Sequence, residues 1–86
     1  MAHHLTDVER RLIQLIDSHF NRQRILVELT TQLRSGLRMD SLDLVELVMD
    51  VEHEFQIDVP VEDFERADRV GELADLIERK RLAYKS

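Results

Sequence analysis

The sequence predicts an all-α fold: an up-down bundle of three main helices plus one short helix. Three observations carry this. Helix-starting residues, Thr6, Asp40 and Asp68, stand immediately before three apolar runs. Each run repeats its apolar residues at helical spacing. The central run, from Ser41, meets neither glycine nor proline until Pro60. Eighty-six residues make one domain, expected over 6–82 with 1–5 and 83–86 as frayed termini. A chain this short buries a modest core and is marginally stable.

Thr6 followed by Glu9 fits a capping box and opens a first helix over about Asp7–Phe20. Val8, Leu12, Leu15, Ile16 and Phe20 give its buried face, and Arg10, Arg11, Gln14 and Asp17 should face water. Residues 21–39 form a long connection. Ile25, Leu26, Val27 and Leu29 are apolar enough to pack down, as a two-residue strand or as a single helical turn. Leu33 and Leu37 should pin the segment to the core, with Gly36 between them free to take a positive φ. A second helix spans Ser41–Phe55. Pro60 blocks its continuation and biases Val59 toward extended backbone. A short turn over Glu62–Arg66 carries Phe64 inward. Asp68 is expected to cap a last helix over about Arg69–Leu82, with Val70, Leu73, Leu76 and Ile77 on its core face. Gly71 weakens its first turn slightly, and Arg79, Lys80 and Arg81 suit the dipole at its end.

With three Phe, one Tyr and no Trp, the core must be aliphatic. There is no cysteine, so thiol chemistry here needs a thiol imported on a prosthetic group. No apolar run is long enough for a membrane span or a signal peptide, which makes the cytoplasm the default expectation and argues against membrane insertion. The net charge of −6 is unevenly spread. Between Met39 and Glu65 the chain carries many acids and no Lys or Arg. That half of the molecule suits basic protein partners and argues against nucleic acid. A solvated acidic face would serve solubility alone, but it does not account for the pattern of the second helix.

Stepped at about 100° per residue from Ser41, Leu44, Leu47, Val48, Val51 and Phe55 fall on one arc, wide enough to be the core face. Leu42, Val45 and Met49 fall together on another, roughly a third of a turn or more away. Glu46, Glu52 and His53 border this second arc; Asp43, Asp50 and Glu54 lie on the remaining side. A helix that packs only on its own core needs one stripe. This one has two, and a serine at its mouth.

Asp40-Ser41-Leu42, followed by Asp43-Leu44-Val45-Glu46-Leu47-Val48-Met49, resembles the signature of the acyl carrier protein family. Glu52-His53-Glu54-Phe55-Gln56-Ile57-Asp58-Val59-Pro60 is similar to the family's acidic-Phe…Ile-Pro segment, and Asp68-Arg69-Val70-Gly71-Glu72-Leu73 to the start of its last helix. Alone, Asp-Ser-Leu reads as a helix cap; the resemblance runs over about residues 6–82.

The resemblance implies an acyl-carrier-like bundle and a carrier rather than a catalyst. Ser41 would hold 4′-phosphopantetheine through a phosphodiester, after attack of its Oγ on coenzyme A aided by a separate phosphopantetheinyl transferase and Mg²⁺. A helix mouth tolerates the phosphate through its N–H groups and dipole. Asp40 would contact the transferase. Leu42, Val45 and Met49 would form the apolar centre of a docking patch for acyl synthases and transferases, with Glu46, Glu52 and, less centrally, Asp43 as its charged rim for basic partner patches. The acyl chain would fold back between helices two and three against Val48, Val51, Ile57 or Val59.

One departure stands out. The family usually writes Asp-Leu-Gly before its Asp-Ser-Leu segment; this chain has Gly36-Leu37-Arg38-Met39. Arg38, three residues before Ser41, either pairs with the phosphodiester and marks a specialised carrier, or is a neutral loop substitution. Within the carrier class the alternative is a peptidyl or D-alanyl carrier. Outside it, the alternative is an acidic interaction module without a prosthetic group. Enzyme readings are weak: His3, His4, His19 and His53 are scattered, and no metal-ligand spacing or calcium loop occurs. The expected state is a monomer.

Overall fold

A computed structural model describes residues 4–85, side chains through residue 83. Residues 1–3 and 86, parts of the two expected frayed termini, lie outside the described residues. Four helices follow in order: α1 (Asp7–His19), α2 (Ser41–Phe55), α3 (Val61–Glu65) and α4 (Val70–Lys85). α4 continues through Lys85, past the expected end at Leu82.

α1 starts as the sequence dictates. The Thr6 hydroxyl accepts from Glu9 N–H (3.1 Å), and the Glu9 carboxylate accepts from Thr6 N–H (2.8 Å). Val8, Leu12, Ile16 and Phe20 are buried, with Leu15 packed at the edge. Their partners are Leu47, Val51 and Phe55 of α2, Phe64 of α3, and Val70, Leu73, Ala74 and Ile77 of α4, in one cluster, mostly aliphatic, that also holds all three phenylalanines. Burying a side chain of this size stabilises by roughly 1.5–3 kcal/mol, so short helices that would not persist alone hold together by packing. Leu44, assigned to this core face, is only half-buried because it borders a cleft described below.

Arg11, expected in water, instead bridges α1 to the end of α2. Its guanidinium donates to the Glu54 carboxylate (2.7 and 3.1 Å) and the Glu54 carbonyl (3.0 Å). It also lies 4.7 Å above the Phe55 ring, where the ring quadrupole favours a cation. Its long stem lets it cover apolar surface and keep its head polar.

The 21–39 connection is neither strand nor helical turn but a series of turns laced to the start of α4. Leu33 N–H donates to Asp68 O (2.8 Å), Val70 N–H to Thr31 O (3.0 Å) and Gly71 N–H to Leu29 O (2.8 Å), with an isolated antiparallel bridge between Gln32 and Arg69. Of its apolar residues Val27, Leu33 and Leu37 are buried as a core anchor requires, but Ile25 and Leu26 are exposed. The Asn21 side chain closes the preceding turn, accepting from Ile25 N–H and donating to Ile25 O, and this turns the segment outward.

Both glycines act through space. Gly36 does not take a positive φ; a Cβ there would lie 2.6 Å from Gln32 O. A Cβ on Gly71 would lie 3.1 Å from Leu29 O, so its absence lets the loop approach α4. Asp68 does not cap α4 in the expected way. The Glu72 carboxylate reaches back to Asp68 N–H (2.8 Å) and Arg69 N–H (2.9 Å), while the Asp68 carboxylate accepts from Gln32 (3.2 Å).

Candidate functional site

The site is the mouth of α2. Asp40 is its N-cap, in extended backbone, and its carboxylate accepts from Asp43 N–H (2.9 Å). Asp43 answers, accepting from Asp40 N–H (3.2 Å). Two acids thus form a capping box with Ser41 inside it, satisfying otherwise orphaned N–H groups. Ser41 is exposed as the first helical residue. Its hydroxyl makes no hydrogen bond among the described residues.

The second stripe stands clear of the core. Leu42 is 66% exposed and Met49 62%, and Val45 is about half exposed. Val61, at the start of α3, is exposed beside them. Between α2 and α3 lies a cleft of about 350 Å³ that begins at Ser41. Leu44, Val48, Val59 and Phe64 form its apolar walls, and Glu52 and Glu65 stand at its edge. Val48 and Val59, two of the four residues expected against a cargo, line it; Val51 and Ile57 are core residues and do not. Leu44, Val61 and Phe64 also line it, though the sequence does not mark them as wall residues. Phe64 reads as core from the sequence, and only the position of α3 makes it both.

The charged border differs from its expected form in two places. Glu46 is exposed. Glu52 is half-buried, and one carboxylate oxygen accepts from Val59 N–H (2.9 Å), bracing the segment after α2. Asp43 is the correction: expected on the rim, it is 4% exposed. Arg22, from the long connection, grips it with both terminal guanidinium nitrogens, at 2.7 and 3.0 Å. The Arg22 pair, helped by Asp40 N–H, holds the Asp43 carboxyl at about 2, well below its ordinary range, and Asp43 in turn raises the Arg22 guanidinium. No sequence pattern signals a contact across 21 residues of irregular chain.

Arg38 is exposed and adopts a left-handed φ of 56°. The position where the resemblance places glycine is therefore the one that needs glycine's freedom. Its side chain makes no hydrogen bond or ion pair among the described residues. No group of three or more His, Cys, Asp or Glu among them is placed to hold a metal ion.

An open hydroxyl at a helix mouth, with an apolar cleft starting at the same residue, suits the class of small helical carrier proteins, which need a point of attachment and shelter for what is attached. The residues fit a phosphodiester-linked arm, since no side chain blocks Ser41 and the helix start offers N–H groups to a phosphate. The family described as "phosphopantetheine attachment site" matches residues 10–77. Acyl carrier protein 2 of Pseudomonas aeruginosa is 31% identical over 74 residues, covering 86% of this chain and 94% of that one. The acyl carrier protein of Porphyromonas gingivalis is 32% identical over 75 residues, covering 87% and 96%. The acyl carrier protein of Thermotoga maritima superimposes with a TM-score of 0.72 over 96% of this chain and all of that one; at 21% identity this shows the fold.

The chain belongs to the acyl carrier protein family. It is a carrier and not an enzyme, bearing acyl groups on covalently attached 4′-phosphopantetheine, and it works with a phosphopantetheinyl transferase and acyl-handling enzymes. Fatty acid biosynthesis is the usual setting of such carriers. An interaction module without a prosthetic group is thereby set aside.

Proposed function

We propose that Ser41 is the attachment residue, and that residues 6–82 act as one carrier domain, as a cytoplasmic monomer. The observation that carries this reading is the exposed Ser41 hydroxyl at the start of α2, opening on the apolar cleft. When bound, the arm supplies a thiol, which this cysteine-free chain lacks, so that acyl groups are held as thioesters. The chain's own residues do the rest. Asp40 holds the helix start and faces the transferase. Leu42, Val45 and Met49 present apolar area to partners, and Glu46 with the outer edge of Glu52 steers basic patches toward it. The walls at Leu44, Val48, Val59 and Phe64 shelter an acyl chain from water. Arg38 stands close enough in sequence to pair with a phosphate on Ser41.

The test is intact-mass measurement after incubation with coenzyme A and a phosphopantetheinyl transferase. Wild type should gain the mass of one phosphopantetheine and Ser41→Ala none. A gain on the alanine variant, or mapped to Ser18 or Ser35, removes the assignment.

A further inference from the structure

Asp43 is buried, yet its ion-pair partner is a surface residue. The Arg22 side chain is 61% exposed while that of Asp43 is 6% exposed. On the helical wheel Asp43 shares its side of α2 with Asp50 and Glu54, which are half-buried and exposed. The Arg22 guanidinium nonetheless lies across both of its carboxylate oxygens. Of its two oxygens, Oδ2 accepts from Asp40 N–H and Arg22, while Oδ1 accepts from Arg22 alone among the described residues. A planar guanidinium gripping a carboxylate with two parallel N–H groups is the contact an arginine of a docking protein would make there.

We propose that Arg22 is an internal competitor for the partner's arginine: it occupies Asp43 and withholds one acid of the α2 mouth from basic docking proteins. This rests on the carrier reading given above. Partners that engage Glu46 and the apolar stripe still dock. Partners that need a carboxylate at position 43 must first displace a cation already in place, and are disfavoured. Arg22 thus sets which basic surfaces this carrier accepts. An arginine on the loop can leave without unfolding α2, because the capping box keeps its own N–H contacts.

The experiment measures association of the apo protein with a phosphopantetheinyl transferase, and the rate of holo-protein formation with coenzyme A, across a salt series. Arg22→Gln should speed association about three- to ten-fold at low ionic strength, fading as salt screens the pair. Arg24→Gln removes the same charge from an exposed neighbour and should give a smaller change. Arg22→Lys keeps the net charge but gives up the two-pronged grip, so a gain there owes nothing to long-range field. Placed in an Asp43→Asn background, Arg22→Gln should lose its advantage. Thermal melts of each variant accompany the rates; an unfolded variant binds less, so a gain cannot come from lost structure. Equal effects of Arg22→Gln and Arg24→Gln, a gain that survives Asp43→Asn, or a slower reaction of Arg22→Gln would overturn the proposal. Wild type modified at Ser41 with no Arg22 effect removes the masking alone; a chain never bound or modified at Ser41 removes the carrier reading and the masking together.

Discussion

At position 38 an arginine sits in backbone that glycine would adopt freely. Left-handed φ costs an L-residue roughly 1–2 kcal/mol, of which part is offset by the extra freedom glycine brings to the unfolded chain. Arg38→Gly should therefore raise unfolding stability by about 0.5–1 kcal/mol. Gly36 is the opposite case: with Gln32 O 2.6 Å from any added Cβ, Gly36→Ala should cost about 1–3 kcal/mol. Urea denaturation of both variants checks the pair, and a loss for Arg38→Gly would mean that the arginine side chain contributes more than its backbone strains. The sequence shows that glycine stands at 36 and arginine at 38. It does not say which position carries the left-handed turn, because that depends on how the turn closes, with Leu37 N–H returning to Gln32 O (3.0 Å) and Met39 N–H to Leu33 O (3.2 Å).

At the scale of the element, α2 was the most legible part of the chain. Its bounds, Ser41–Phe55, and its exposed second stripe follow from residue periodicity and the absence of breakers. Its rim was less so. Asp43 reads as surface from its helical position, and only the folded path of residues 21–39 brings Arg22 over it. That pairing makes the start of α2 acid-sensitive in a definite direction. The folded carboxyl titrates near 2, against an ordinary 3.8. A lowered folded pKa gives stabilisation that is full above the ordinary value and lost as pH falls through the folded one. The stability difference between wild type and Asp43→Asn, followed by circular dichroism, should thus be present at neutral pH, shrink between about pH 4 and 2, and vanish below. A difference independent of pH would assign the effect of Asp43 to packing.

At the scale of the molecule, the bundle was legible because three apolar runs of helical period leave few other arrangements for a chain this short. The connections were not. Exposed Leu26, the reach of Glu72 to two N–H groups, and Glu52 bracing Val59 all depend on where distant segments lie. The same holds for the cleft: its α2 wall is written in the helical period of Leu44 and Val48, whereas Val59, Val61 and Phe64 reach it only because the chain turns back after Gln56, which caps α2 in left-handed backbone.

The seam between residues 29–33 and 68–71 has a kinetic consequence. It joins positions about 40 apart, so closing it encloses all of α2 and α3 in one loop, and loop closure of that length is costly before any contact repays it. Helix α1 and α4 then pack across the same closure. The long connection is in this sense a clasp of the fold and not a slack tether between helices. The amides of this seam, Leu33 in the connection and Val70 and Gly71 in α4, should exchange with deuterium only through global opening, as slowly as those of Leu47 and Ile77. Free exchange at Leu33 beside protected core helices would instead make the connection a separately opening unit, able to loosen while the bundle stays closed.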